Sequence, residues 1–380
     1  MKSGEALYLQ IYAKLLADIK SGIYADGKPL PTEAEAAQQY LVSRITSKKA
    51  LTKLAEDGVI VRIPGRGSFV KKDYTLPDFT SPKDIGPKVV ALLMTGYSYS
   101  FGLEVLDAAL ERAEELGIHL ILKNTRSNQR RESVMLKSLI ESNVAGIIVQ
   151  PAHGELYNEV ILNAVYSKFP IVMLDRSMSG IDVPFVGVDN VKLSREAVSK
   201  LIDAGHRNIS LLALEDDRSS SLKERMQGFL EAFADSRQAV QKDLWLTSIN
   251  DLVNYNELEL NERTAHEKYV SVIAEHLKLH PEITAIFGTE YNVAKAAWDA
   301  VRKIGKRVPE DISIVSFDFD SGYIGLHLLS HIRQPQKSIG ACAVEVINDI
   351  IHGRMPERRS FLLEGEWVEG MTIAPPKDVS

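Results

Sequence analysis

The chain has 380 residues, of which 45% are hydrophobic, 25% charged and 7% aromatic. That length allows two or three domains with cores of their own, and the balance excludes a wholly disordered, collagen-like or disulfide-stapled protein. The net charge of −6 is unevenly spread: residues 1–73 carry 12 Lys and Arg against 8 Asp and Glu, the remainder 33 against 43. This asymmetry suits a small part that meets a polyanion, joined to a larger part that does not.

A single cysteine, Cys342, excludes an intrachain disulfide and the cysteine-rich zinc patterns. Glu5, Lys14, Asp18 and Lys20 interrupt the first 20 residues, so no signal-peptide core is read there. No stretch approaches 18 uncharged apolar residues, so no membrane contact is expected and the expected location is cytoplasmic.

In chain order, Tyr8, Ile11, Tyr12, Leu15 and Ile19 stand at helical spacing, with Gly22 as a stop. Thr32 and Glu35 read as a capping box that opens a second helix. Ser43 caps a third, with Ala50, Leu51 and Leu54 on its inner side and Gly58 at its end. Two β-prone runs, 59–63 and 68–70, flank the turn Pro64-Gly65-Arg66-Gly67. Three helices and a hairpin outline a winged helix over 1–72, and the proline-bearing stretch 73–87 reads as a linker.

From residue 88 to 380 the period changes. Apolar runs at 88–95, 118–123, 145–150, 169–174, 209–214, 283–288 and 312–317 alternate with helical stretches at 103–116, 132–142, 191–204, 219–234, 266–279, 290–304 and 337–352. This is the α/β pattern of parallel sheets covered on both faces, in two lobes. The polar, acidic stretch 250–264 reads as a surface connection.

The segment 42–51, VSRITSKKAL, places Arg44, Ile45, Thr46, Ser47 and Lys48 in the first turns of a helix, with Lys49 next. Arg can take two acceptors of a guanine, Thr can touch a thymine methyl or a phosphate, and free amides can hold a phosphate. Eight Lys and Arg against two acids between residues 40 and 72 supply the field a duplex requires. Arg66, between two glycines, suits a minor groove. A solvated basic helix face and an ordinary turn account for the same charges.

Residues 6–70 resemble the gluconate-repressor (GntR) type of winged helix-turn-helix, on Tyr8 to Ile11, Leu30 to Glu33, Val42 to Thr46 and Gly65 to Val70. The resemblance implies that Arg44, Thr46 and Lys48 read the groove and that Arg66 and Gly67 lie in the wing. Thr32, Ser47 and Lys49 complete the expected DNA-facing set. Lys48 stands where many members have Arg and lacks the bidentate fork. Ala34 stands where some members place a basic contact.

Residues 88–375 resemble the effector domain of lactose-repressor (LacI) regulators, a type I periplasmic sugar-binding fold. The motifs are VPFVGVDN (183–190), AGHRNISLL (204–212), RMQGF (225–229), PEDISIVSFD (309–318) and HIRQP (331–335). The order of the two parts resembles the arabinose-repressor subgroup.

Parallel sheets bind ligands at the carboxyl ends of their strands, here in a crevice between lobes. Tyr97, Tyr99 and Phe101, then Asp175 and Arg176, then Asp189 and Asn190, fall at such ends, with Arg225, Glu290, Asp318 and Gln334 from the other lobe. Carboxylates that accept from hydroxyls, arginines that donate, and an aromatic face suit a polyol. By resemblance Asp189, Arg225, Asp318 and Gln334 lead this set. Asp189-Asn190 also suits a helix cap, and His206 suits a structural turn. Glu290 stands where that family usually has Asn-Asp.

No nucleophile elbow, phosphate loop or metal-spaced set of ligands occurs, so neither catalysis nor a cofactor is expected. The expectation is a ligand-controlled repressor: a homodimer on operator DNA, released by a small sugar through a coupling of about 1–3 kcal/mol. Resemblance places the dimer contact at 103–116 and 140–149. A sugar-binding module without DNA binding, and a carbohydrate-active enzyme, are the rival readings.

Overall fold

The computed structural model describes residues 7–20, 22–24, 28–56, 59–63, 65–71, 88–152, 158–214, 219–247, 249–252, 262–319 and 329–377. Chain contacts separate two compact units, Met1–Ile85 and Gly86–Ser380. Gly58, Pro64, the linker 73–87 and part of the connection 250–264 fall outside the described residues.

The smaller unit holds α1 (Leu7–Lys20), α2 (Glu33–Gln39), α3 (Arg44–Glu56), β1 (Ile60–Ile63) and β2 (Gly67–Val70). The capping box forms: the Glu35 amide donates to Thr32 Oγ1 at 3.3 Å and the Thr32 amide to Glu35 Oε2 at 2.8 Å. The α3 start is held likewise, with the Thr46 amide donating to Ser43 Oγ at 3.2 Å. Strands β1 and β2 pair antiparallel, Ile60 opposite Val70 and Ile63 opposite Gly67. The Leu30 amide donates to the Ser68 carbonyl at 2.8 Å, which adds a third short strand contact beside Phe69. Ile11, Leu15, Ile19, Leu30, Ala50, Leu51, Leu54 and Val59 form the core, so the helical spacing read from the sequence is the buried face.

The larger unit contains two sheets. The first has six parallel strands in the order β12-β7-β6-β5-β3-β4, drawn from β3 (Lys88–Met94), β4 (Ile118–Asn124), β5 (Gly146–Val149), β6 (Ile171–Leu174), β7 (Phe185–Val188) and β12 (Ser360–Leu363). The second runs β13-β11-β10-β9-β8, from β8 (Ile209–Leu212), β9 (Ala285–Gly288), β10 (Ser313–Phe317), β11 (Ser330–Arg333) and the antiparallel edge β13 (Glu366–Val368). Helices α4 (Leu103–Glu115), α5 (Gln129–Glu141) and α6 (Glu159–Tyr166) belong to the first lobe. Helices α8 (Ser220–Asp235), α10 (Glu262–Leu279) and α11 (Tyr291–Lys303) belong to the second, with the short α9 (Ile249–Leu252).

The chain passes between the lobes three times. Strand β7 feeds α7 (Asn190–Asp203), which packs on β10 and β11. Strand β11 feeds α12 (Gln336–Ile351), which packs back on β5, β6 and β7. Strand β12 then leads to β13. A fully buried apolar core, with Leu92, Val172, Phe229, Phe287 and Phe317 among its members, runs through both lobes. The central strands are buried along their whole length, which is why they read as unbroken apolar runs. Edge strands β12 and β13 are half-exposed and short, and gave no such run.

Two close helix crossings fix the lobes. A Cβ on Gly228 of α8 would collide with the Val191 carbonyl of α7, and one on Gly340 of α12 with the Val105 carbonyl of α4. Only glycine lets these backbones approach so closely.

Candidate functional site

In the smaller unit the exposed face at the start of α3 is built from Arg44, Ile45, Lys48 and Lys49, with Thr46 half-buried beside Ser43. Arg44 lies 3.9 Å from Glu33 with 74% of its side chain exposed. Lys49 Nζ sits 5.4 Å from the Tyr8 ring, so it leans toward α1. Ile45 is 77% exposed, an apolar side chain with nothing of its own unit to cover it. Gly65 and Arg66 form the hairpin turn, with Arg66 exposed, and Gly67 opens β2 at a φ of +114°.

One expected contact needs correction. Ser47 is fully buried, and its hydroxyl donates to the carbonyls of Glu33 at 2.6 Å and Arg44 at 3.0 Å; it ties α3 to α2 and does not join the exposed face. Thr32 is exposed, and its Oγ1 also accepts from the Glu35 amide in the capping box. One participant went unread. Arg62 of β1 donates to Glu33 Oε1 at 2.6 Å and to Thr52 Oγ1 at 3.2 Å. That bond, with the charges of Arg62, Lys48 and Arg44, holds the Glu33 carboxyl below the usual range, so Glu33 stays ionised among the basic side chains.

In the larger unit the carboxyl ends of both sheets open on one cavity of about 370 Å³. Tyr97 and Phe101 from the loop after β3, Asp175 and Arg176 after β6, Arg225 from α8, Glu290 after β9, Asp318 after β10 and Gln334 after β11 line it. The two aspartates share a backbone state: Asp175 has φ +60° and Asp318 φ +66°. Asp tolerates this left-handed conformation better than most residues, and here it turns the carboxylate at the strand end.

Each carboxylate is held by a glutamine from the neighbouring strand end. Gln150 Nε2 donates to Asp175 Oδ2 at 2.7 Å, and Gln334 Nε2 faces both Asp318 oxygens at 3.0 and 2.9 Å. Burial pushes the Asp318 carboxyl up to about 7; Arg225 and Gln334 oppose the rise, while Asp175 and Glu290 add to it. Arg225 is buried, its guanidinium 3.6 Å above the Phe317 ring. Its Nε donates to Asn190 Oδ1 at 2.9 Å and its Nη1 to the Thr289 carbonyl at 2.7 Å. Arg176 Nη1 donates to the carbonyls of Pro151 and Ala152, both at 3.1 Å. Tyr97 donates to the Lys123 carbonyl at 3.3 Å, which leaves its ring to line the cavity.

Two residues expected here lie elsewhere. Asp189 accepts from the Lys192 amide at 2.9 Å as the N-cap of α7 and does not line the cavity; its neighbour Asn190 reaches Arg225 instead. Tyr99 is 67% exposed and off the cavity wall. Gln150, Ser221 and Asn250 line the cavity and were not read from the sequence. Gln150 had a signal, a polar residue directly after the apolar run of β5. His206 is buried, bonded to Thr284, Ser313 and the Ala374 carbonyl, and burial lowers its pKa; it is a structural tie. Among the described residues no group of His, Cys, Asp or Glu is placed to hold a metal ion, and no helix is long and apolar enough to cross a membrane.

A basic winged helix and a two-lobed α/β unit with a polar cleft define a two-module regulator, one part reading DNA and the other sensing a small molecule. The chain belongs to the family of periplasmic binding proteins and the sugar binding domain of LacI family, whose model matches residues 87–362. The model of bacterial regulatory proteins of the gntR family matches residues 7–70. The chain is 27% identical over 358 residues to the arabinose metabolism transcriptional repressor of Geobacillus stearothermophilus, covering 92% of this chain and 93% of the relative. It is 26% identical to the repressor of the same description from Halalkalibacterium halodurans, covering 95% and 93%. The fold of the larger unit is also that of the transcription regulator CcpA of Lactococcus lactis, with a TM-score of 0.65 at 20% identity, covering 75% of this chain and 99% of that one.

Proposed function

We propose that the protein is a cytoplasmic transcriptional repressor whose winged helix, within residues 1–72, holds operator DNA as part of a homodimer. The sensor, residues 88–380, releases it on binding a small neutral sugar of pentose type. The observation that carries this reading is the pair of strand-end carboxylates, Asp175 and Asp318, facing one polar cavity beside Arg225 and the Tyr97 and Phe101 rings. Neutral amides hold both carboxylates, so each keeps lone pairs for ligand hydroxyls.

A neutral ligand is favoured over an acidic one. Three acids, Asp175, Glu290 and Asp318, stand against two arginines on the wall, and Arg176 and Arg225 already donate to protein acceptors. The size of the cavity suits a monosaccharide, at the low end of the range for small-molecule sites. The names of the two arabinose repressors point the same way. On the DNA side, Arg44, Thr46, Lys48, Lys49 and Arg66 contact the duplex. The protein acts by binding.

A thermal-shift screen tests the ligand, since a bound sugar stabilises by RT ln(1 + [L]/Kd). Neutral pentoses such as L-arabinose and D-xylose are expected to raise the melting temperature, and D-glucuronate to leave it unchanged. A shift with D-glucuronate alone overturns the ligand class. A gel-shift titration in which the active sugar strengthens operator binding overturns the proposed sense of control.

A further inference from the structure

The loop 95–102 after β3 brings Tyr97 and Phe101 to the cavity wall, and its first residues are tied within the same lobe, Thr95 to Gln150 Oε1 and the Tyr97 hydroxyl to the Lys123 carbonyl. It closes on itself through the Ser98 amide and the Phe101 carbonyl, 2.9 Å apart, and ends at Gly102, whose φ is +108°. As N-cap of α4, Gly102 has no side chain to offer. The end of the loop is held from far along the chain. Gln336, buried at the first position of α12, donates through Nε2 to the Ser100 carbonyl at 2.7 Å and accepts at Oε1 from the Gly102 amide at 2.9 Å. Both ends of one side-chain amide are spent on one loop.

Gln336 is separated from Gln334 only by Pro335, and its own amide donates to the Gln334 carbonyl at 2.8 Å. Gln334 holds the Asp318 carboxylate in the second lobe. The segment Gln334-Pro335-Gln336 is one of the three passages between lobes, and proline restricts its backbone. One rigid tripeptide therefore grips the cavity wall on both sides: the aspartate of one lobe through its first residue, the aromatic loop of the other through its third.

We propose that Gln336 is a positioning residue that sets the aromatic loop over the cavity and, through its link to Gln334, makes the loop and Asp318 move as a unit. The consequence for ligand binding rests on the sugar-cleft reading above; the mechanical link does not. Hydrogen exchange of the full-length protein without ligand, read by mass spectrometry, tests the link directly. Gln336→Ala removes two hydrogen bonds, and exchange in 96–103 is expected to rise about tenfold or more. Exchange in 314–319 is expected to rise with it. Gln334→Ala is expected to loosen both segments in the same way. Gln336→Glu keeps an acceptor for Gly102 and loses the donor to Ser100, so it is expected to fall between wild type and Gln336→Ala. Loosening confined to the segment each variant touches, or no loosening at all, overturns the proposal.

Thermal shift with L-arabinose and D-xylose supplies the second arm. Gln336→Ala is expected to lose most of whatever shift the wild type shows. A full shift in the variant refutes the positioning role. A wild type that responds to no sugar refutes the sugar reading instead, and the exchange data still decide the link.

Discussion

Asp318→Asn is the sharpest single perturbation of the cavity. The folded chain holds the Asp318 proton up to about pH 7, against a reference value of 3.8 for an exposed aspartate. Between those values the folded state binds more protons than the unfolded state, so stability falls as pH rises through the window and levels off above pH 7. From pH 5 to pH 8 this one group costs about 2–3 kcal/mol. Asparagine keeps an acceptor for Gln334 Nε2 and cannot ionise, so it removes the pH-dependent cost and leaves the other titrating groups common to both proteins. Melting curves of wild type and variant at pH 5, 6, 7 and 8 should diverge in favour of the variant as pH rises. The gap should widen by roughly 3–5 °C for a unit of this size. Parallel curves would refute the reasoning: they would mean that Arg225, 3.6 Å above the Phe317 ring, outweighs burial and keeps Asp318 charged throughout. A sugar hydroxyl that donates to Asp318 bonds the ionised carboxylate more strongly than the neutral acid, so affinity should also rise with pH up to about 7.

Three further outcomes separate contacts from supports. Arg44→Ala should weaken DNA binding and flatten its salt dependence with an unchanged melting temperature, whereas Ser47→Ala should cost about 1–2 kcal/mol of stability and leave the affinity of the folded protein intact; gel shifts across salt concentrations and melting curves read both. Asp189→Ala should cost about 1 kcal/mol, the value of a helix cap, with no change in the sugar-induced thermal shift. Ile45, exposed at the tip of α3, should read a thymine methyl: replacing one thymine of each half-site by uracil should weaken wild-type binding about fifteenfold, from about 0.8 kcal/mol for each of the two buried methyls, and leave Ile45→Ala indifferent.

Local signals were legible in the sequence and tertiary ones were not. The Thr32–Glu35 capping box, the Ser43 cap and the hairpin depend on residues within a few positions of one another, and they form as read. The buried strands were legible because both faces are covered. Ser47 was assigned by its place in a basic segment, although helical phase puts it with Leu51 and Leu54, one turn and two turns on, against the core. Asp189 and Asn190 differ by one position, and rotation about the helix start decides which faces the cleft: Asp189 turns to the Lys192 amide and Asn190 to Arg225. No spacing rule distinguishes those outcomes. Gln336 lies 234 positions from the amide it accepts from, so nothing in its neighbourhood announced it.

The two lobes solve one problem twice. In each, an aspartate follows a buried strand in left-handed conformation, and a glutamine from the adjacent strand end donates to its carboxylate. An arginine in the glutamine's place would take both oxygens bidentately and leave little for a ligand. A glutamine orients the carboxylate without neutralising it, so the cavity keeps acceptors on opposite walls. A molecule with hydroxyls at both ends can satisfy both walls only when the lobes are close, and that difference between open and closed states is the quantity a sensor needs, since a ligand shifts an equilibrium only by its unequal affinity for the two states.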